Sequence, residues 1–489
     1  MIGFARERQR VDFNLLSEDD LRAIHWATLD ILRTAGVKIL HSQKILKLLE
    51  KAGCPVNYDK QLARIPSNLV EEALDKKGNA ITLCGRNPKY DARLDDRHVY
   101  ITNDGNGIAM LDFETGKKRP STKTDLAKTA IISDALDELH IYWPMVSAQD
   151  TPEHVRALHD LEASLANTEK HVMFETTLSP EVAQYQIEMA AAVVGSKEEL
   201  RKRPIISSLH CPVAPLQHGV QSTQAAIEFA KARVPIVFFG MPQPGATGPA
   251  TLAGSIVINN AEVLSGLVIA QLAAPGAPVI YGGGVAAFDM KAGSRAGGGP
   301  EHGLTGGAFA QLARHYGMPS IVGGGVSGAK RPGAQAAYEK FASLLPQILS
   351  GANAICGIGL LNDCTLLAFE ELLIDTEIVR IIFRLAEGIE VNDETLSLDL
   401  IKKVGPGGNY LVEKHTLEHF KSEHFLPTVS DRNSYEGWLK EGRKSVADRA
   451  REKVSEILKT HKPKPLEDST SKELARIIKE AEKALEKKI

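Results

Sequence analysis

A chain of 489 residues with 58 lysines and arginines against 61 aspartates and glutamates carries a net charge of −3. That balance gives no electrostatic reason to bind nucleic acid or an anionic membrane. Hydrophobic residues make up 43% and charged residues 24%, the composition of a soluble globular protein with one large core or about two to three domains.

The five cysteines, Cys54, Cys84, Cys211, Cys356 and Cys364, form no C-x-x-C and are odd in number, which points to a reduced, cytoplasmic protein. The opening residues, MIGFARERQRVDFN, lack the apolar run of a secretory signal. Residues 15–53 are predicted helical, starting at Ser17 with Asp20 as its capping-box partner. Short strand-like runs follow over about 80 to 120: ITLCGR, HVYITND and AMLDFETGKK, the last with a hairpin turn at Thr115-Gly116.

From residue 140 apolar runs alternate with longer helical stretches: HIYWPMV at 140, HVMFET at 171, PIISSLH at 204, PIVFFGM at 235, PVIYGGG at 278, PSIVGGG at 319 and NAICGIG at 353. Their starts lie 31, 33, 31, 43, 41 and 34 residues apart. That is the pace of a repeated strand–helix unit, and near-continuous apolarity marks strands buried on both faces. With HVYITND they make about eight strands, the number that closes a (β/α) barrel; a doubly wound open sheet is the alternative. Most strands end in polar or glycine residues (Asn103-Asp104, Glu175-Thr176, His210, Gly240, Gly282, Gly323, Gly357), which a barrel would gather at its C-terminal mouth.

The expected class is therefore α/β, a (β/α)8 TIM-type barrel over 121–400. An N-terminal helical and β-hairpin extension over 1–120 contributes to it, and helices occupy 401–489, ending in a charged run after the Pro/Lys linker HKPKPLEDSTS. The most apolar run, 254–283, is interrupted by Asn259, Asn260 and Glu262 and reads as a buried helix feeding a strand, not a membrane span.

Two glycine loops invite an anion. GGGVSGAK (323–330) fails the Walker pattern, because Ala329 separates Gly328 from Lys330 and no Ser or Thr follows. GGGVAA (282–287) fits G-x-G-x-x-A but runs into the long loop FDMKAGSRAGGGPEHG instead of a helix. These glycines either let two loops approach a compact ligand or simply make turns. Neither His210-Cys211 nor Cys356 and Cys364 has a zinc spacing, so no metal is expected, and no G-x-S-x-G elbow is present. Glu175 closes an apolar strand, where a carboxylate needs a salt bridge to a neighbouring loop or a bound cation.

NNAEVLSGLVIAQL (259–272), YGGGVAAFDMKAG (281–293), SGAKRPGAQAAYEK (327–340), LLIDTEI (372–378), LHCPVAPL (209–216) and the N-terminal LSEDDLRAIHWATLDILRTAGVKI together resemble the trimethylamine methyltransferase family over almost the whole chain. The resemblance implies a barrel enzyme that passes a methyl group to the cobalt of a separate corrinoid protein. The founding members carry pyrrolysine in a segment like G-G-x-S-D-A-K; aligned on SGAK, that position is Val326, after Gly324 and Gly325. The chain thus resembles the non-pyrrolysine members, which include glycine betaine, proline betaine and carnitine methyltransferases.

A quaternary ammonium already carries its charge and departs as a neutral amine, so it needs positioning and desolvation and no electrophile. For the carboxylate of a betaine the candidates are Arg295 and Arg331. For its ammonium they are Phe174, Tyr281, Phe288 and Asp104, with Phe238 and Phe239 unable to point inward together. Glu175 and His210 are expected to position the donor, and no residue is assigned a chemical step.

The resemblance further implies no tightly bound cofactor, a corrinoid supplied by the partner protein, and a homo-oligomer in the cytoplasm. Two alternatives stand beside it. One is a barrel acting on a phosphorylated metabolite through the glycines of its last strands; the other is a betaine-binding protein without turnover.

Overall fold

The computed structural model describes residues 3–5, 7, 9–77 and 80–486. Eight parallel strands form a closed cylinder: β1 (His98–Asn103), β2 (Ile141–Tyr142), β3 (His171–Phe174), β4 (Ile206–His210), β5 (Ile236–Gly240), β6 (Val279–Gly283), β7 (Ser320–Gly323) and β8 (Ala354–Ile358). Each pairs with the next, and β8 pairs back onto β1 through Ala354 opposite Tyr100 and Ile355 opposite Ile101. The open-sheet alternative is thereby excluded, and every strand lies within the apolar run that predicted it.

A helix follows each strand: α1 (Lys123–Ala135), α2 (Arg156–Asn167), α3 (Pro180–Val194), α4 (Val220–Ala232), α5 (Leu252–Ala273), α6 (Pro300–His315), α7 (Ala334–Leu349) and α8 (Phe369–Glu387). Alternation sorts the strand residues into two cores. Val99, Val172, Ile206, Phe238, Tyr281 and Val322 join the layer against the helices. Tyr100, Met173, Leu209, Val237, Phe239, Ile280 and Ile321 fill the cylinder. Helix α5 is long and apolar enough to cross a membrane, yet most of it is buried against the strands, as its interrupted apolar run predicts.

The N-terminal end of the cylinder is stoppered. Strands Ile81–Leu83 and Ala92–Leu94 form an antiparallel hairpin, and its Ile81, Leu83, Ala92 and Leu94 pack into the interior core. Polar ties fix it: the Arg93 amide donates to Tyr100 Oη at 3.1 Å, the Asn353 amide nitrogen to Asp95 O at 2.6 Å, and Cys84 N to Pro204 O at 3.0 Å.

The region 15–53 is not one helix. Its first helix, Glu18–Thr34, starts with the expected capping box between Ser17 and Asp20, but Gly36, at φ +77°, ends that run. Val37–Ile39 is a strand paired with Leu62–Ala63 and Gln217–His218, so helical periodicity there was overridden by sheet pairing. The hairpin turn at Thr115-Gly116 is present, joining Ala109–Leu111 to Lys118–Pro120 with Gly116 at φ +68°. At the C-terminus, helix Val446–Thr460 packs on α8 and α1, and Asp468–Glu486 packs on α3.

Candidate active site at the barrel mouth

Inward-facing positions at the C-terminal strand ends converge on one mouth. Trp143 follows β2, Glu175 follows β3, Cys211 follows β4, Phe239 lies in β5 and Met241 follows it, and Cys356 lies in β8; Trp143, Phe239, Cys356, Cys211 and Met241 all join the interior core. Asp104 closes β1, its amide donating to Ile358 O at 2.8 Å and its Oδ1 accepting from Gly105 N at 3.0 Å. The Trp143 indole lies on Gly105, where an added Cβ would sit 2.2 Å from Nε1. That indole N–H is buried with no hydrogen-bond partner among the described residues.

Three charges meet over this floor. Burial pushes Asp104 up to about 6, opposed by the thiol of Cys364, the Gly105 amide and the charge of Arg295. Burial also pushes Glu175 up to about 7, with Asp104 raising it further. Its Oε2 accepts from Thr176 N at 3.2 Å, and no ion pair satisfies it among the described residues. The Cys356 thiol, raised well above its ordinary value mainly by burial, feels Asp104, Glu175 and Arg295 together. Anionic groups over an aromatic floor make a receptacle for a cation.

Arg295 reaches the mouth from a two-stranded ribbon in which it lies opposite Phe288. Its Nη1 donates to Asp363 Oδ1 at 2.8 Å and its Nη2 to Gly284 O at 3.3 Å. Gly297 marks where three side chains converge: a Cβ there would sit 2.1 Å from Asp363 Oδ1, 2.6 Å from Val326 Cγ1 and 2.9 Å from Arg295 Nη1. Val326 is 4% exposed and presents an aliphatic surface to that corner.

The glycines at the ends of β6 and β7 make room for protein, not for an anion. A Cβ on Gly284 would lie 2.5 Å from Phe239 Cε1, and one on Gly323 would lie 2.9 Å from His302 Nε2 and 3.2 Å from Phe239 Cζ. Backbone amides that could cradle a phosphate are committed: Gly284 N donates to Gly240 O, Gly324 N to Cys356 O, and Gly325 N to Ser343 Oγ. Gly325 is the position that needs its residue type, at φ +61°.

The loop after β7 is held from behind. Glu339 Oε2 accepts from Ser327 Oγ at 2.6 Å and from Gly328 N at 2.9 Å. The neighbouring Lys340 is fully buried, donating to Glu371 at 2.8 Å and to Asp375, and Asp375 also accepts from Gly359 N at 2.6 Å. The segments AAYEK and LLIDTEI are thus one scaffold for the loops after β7 and β8.

Several expected residues lie elsewhere. Tyr281 faces the helices, its hydroxyl donating to Asn260 Oδ1 at 3.0 Å. His210 also faces outward, edge-on to Phe238 at 5.1 Å and stacked at 6.3 Å on His218; burial takes it down to about 3, so it stays neutral. Phe174 packs on Phe229 at 5.6 Å yet also lines the cleft that Trp143 and Glu175 share. The parity of each strand explains all three, since their neighbours Gly282, Leu209 and Met173 take the inward positions. Arg331 is exposed on the loop after β7, and Phe288 is half-buried in the ribbon.

Trp143, His302 and Asp363 were not foreseen. Trp143 could have been found by continuing the inward parity of HIYWPMV past Ile141. His302 donates from Nδ1 to Gly297 O at 3.0 Å, and its Nε2 is buried with no partner among the described residues. It comes from the first turn of α6, where sequence carries no strand parity to extend. Among the described residues, no group of three or more His, Cys, Asp or Glu could hold a metal ion.

A closed barrel with its charged and aromatic side chains gathered at the C-terminal mouth is the architecture of a (β/α)8 enzyme. The model of the trimethylamine methyltransferase family matches residues 5–485, and the chain belongs to that family. It is 36% identical over 466 residues to trimethylamine methyltransferase MttB of Desulfitobacterium hafniense strain DSM 10664 / DCB-2, covering 95% of this chain and 93% of the relative. To MttB of Methanosarcina barkeri it is 36% identical over 480 residues, 97% and 96% of the two chains. To glycine betaine methyltransferase of D. hafniense strain Y51 it is 32% identical over 468 residues, 95% and 96%.

Proposed function

We propose that this protein takes a methyl group from a small quaternary amine and delivers it to the Co(I) of a separate corrinoid protein, the methyl acceptor. The observation that carries this reading is Val326 at the corner of a mouth lined by Asp104, Glu175, Trp143 and Phe239. The lining suits a permanent cation, and valine offers no electrophile to capture a neutral amine. Methyl transfer is an in-line displacement that breaks the C–N bond and leaves both of its electrons on nitrogen. From a quaternary donor the nitrogen departs neutral and needs no proton.

Trp143 and Phe239 exclude water and face the cation, while Asp104 and Glu175 hold it. The positive charge fades as the C–N bond breaks, so these carboxylates stabilise the bound donor more than the transition state. Their contribution is to binding. Glycine betaine is placed first among donors, after the relative named for it, followed by proline betaine and carnitine. Arg295 can share a carboxylate only alongside Asp363.

The same reading makes the protein cytoplasmic and homo-oligomeric. Supporting the latter, Ile389, Val391, Leu411, Val412 and Leu417 lie exposed in one C-terminal stretch. The amides committed after β6 and β7 weigh against the phosphate alternative. Mixing the protein with cob(I)alamin and each amine, and following cobalt absorbance, tests the proposal. Methylation with a quaternary donor supports it; binding of the amine without methylation favours a binding protein, and neither would overturn it.

A further inference from the structure

The loop after β8 carries a left-handed turn. Between the paired segments Leu360–Leu361 and Leu366–Leu367, Asn362, Asp363 and Cys364 have φ of +52°, +53° and +69°. L residues visit that region singly and seldom three in a row, and an outlier of this kind points to function. The turn is tied on both sides. Asn362 N donates to Ala329 O and Asp363 N to Ser327 O, each at 2.8 Å, and the Asn362 amide nitrogen donates to Thr365 Oγ1 at 2.7 Å.

Held this way, the turn aims Asp363 and Cys364 at the mouth. Asp363 is the one carboxylate within 4 Å of Arg295 among the described residues. The other terminal nitrogen of that arginine reaches Gly284 O only at 3.3 Å. Gly297 gives the pair its space, since a Cβ there would fall 2.1 Å from Asp363 Oδ1 and 2.9 Å from Arg295 Nη1. The Cys364 thiol is close enough to act on both Arg295 and Asp104. Asp104, raised mainly by burial, is lowered by the charge of Arg295 and raised by that of Asp363. A guanidinium outcompetes a thiol for a carboxylate, so an unrestrained Arg295 has Asp104 as its next partner.

We propose that Asp363 is a positioning residue that restrains Arg295: by pairing with the guanidinium it keeps that cation from closing onto Asp104 and taking the place of the donor's ammonium. This rests on the quaternary-amine reading above and deepens it. An arginine beside a cation seat competes with the ligand unless a carboxylate outside the seat holds it. Asparagine tolerates the left-handed backbone and matches aspartate in size, so Asp363→Asn removes the charge and keeps the turn.

Calorimetric titration with tetramethylammonium, which offers Arg295 no carboxylate, tests this together with crystal structures of wild type and variant. Asp363→Asn is expected to weaken binding about ten-fold or more, with the Arg295 guanidinium found on Asp104. Adding Arg295→Gln is expected to bring affinity back to within about three-fold of wild type, because the competing cation is gone; a turn that had merely loosened would not be rescued this way. Unchanged affinity in Asp363→Asn, a double variant as weak as the single one, or a guanidinium that stays where it is overturns the proposal. A wild type that binds no tetramethylammonium would remove the quaternary-amine reading. The restraint is then decided by the Asp363→Asn structure alone, standing if the guanidinium has moved onto Asp104 and falling if it has not.

Discussion

The charge of Asp104, at the end of β1, raises the carboxyl of Glu175, at the end of β3. Two acids from separate strands thus share one desolvated mouth, and each gains by admitting a cation. Their values of about 6 and about 7 place both titrations within a readily measured range.

Affinity for a quaternary amine is therefore expected to rise as pH climbs from 5 to 8, with most of the gain between 6 and 7, while the rate at saturation changes little. Titration of tetramethylammonium across that range checks it. A flat profile would mean that the two carboxylates do not face the cation.

Glu175→Gln should separate binding from chemistry. The donor's KM is expected to rise about ten-fold or more, and kcat is expected not to fall, because the lost charge favoured the bound cation over the neutralising transition state. Stability should move the other way. The folded-state value lies above the ordinary one, so Glu175 contributes stability below pH 4.5 that is lost as pH rises through about 7. The variant should thus be on the order of 1–3 kcal/mol more stable than wild type at pH 8, with no gain at pH 4.5. Denaturant melts at the two pH values read this directly.

Gly284→Ala puts a methyl group 2.5 Å from Phe239 Cε1. The ring must swing toward the mouth, so donor affinity should fall about ten-fold while the fold survives at a cost of about 1–3 kcal/mol. Pairing it with Phe239→Leu should restore stability without restoring affinity, which a double-mutant cycle would show.

Lys340→Met leaves Glu371 and Asp375 buried without their cation. The expected loss is about 3–5 kcal/mol, and looser loops after β7 and β8 should raise amide exchange at Gly359, whose N–H Asp375 accepts. Unchanged exchange there would show that the ion triad does not hold the loop.

Val326 predicts donor choice. With one Co(I) acceptor, a quaternary amine should be demethylated and trimethylamine should not, because nothing at that corner captures a neutral amine. Comparable rates on the two would discard the leaving-group argument.

The barrel was legible because its strands are buried on both faces and recur at regular intervals, so apolarity and spacing carry the same message. Residues at strand ends were harder. Asp104, Glu175 and Arg295 are polar in apolar surroundings and stand out, whereas Phe174, His210 and Tyr281 could be separated from Phe239 only by knowing each strand's parity. The pairing of β3, β4 and β6 with their neighbours fixes that parity, and register is a long-range property. The turn at Gly36 was masked by apolar residues on both sides that fit a helix equally well.

The hairpin Ile81–Leu94 stoppering the N-terminal end has a kinetic corollary. Nothing can pass through the cylinder, so the amine and methyl acceptor of the proposed reaction would both arrive from the same end. An acceptor large enough to carry a corrin ring would cover that end once docked. On the proposed reading, turnover is expected to follow a sequence in which the amine loads first, the acceptor docks over it and leaves methylated, and the spent amine goes last. Steady-state traces should therefore show the spent amine competing with fresh donor, and excess acceptor slowing the reaction by docking on empty enzyme.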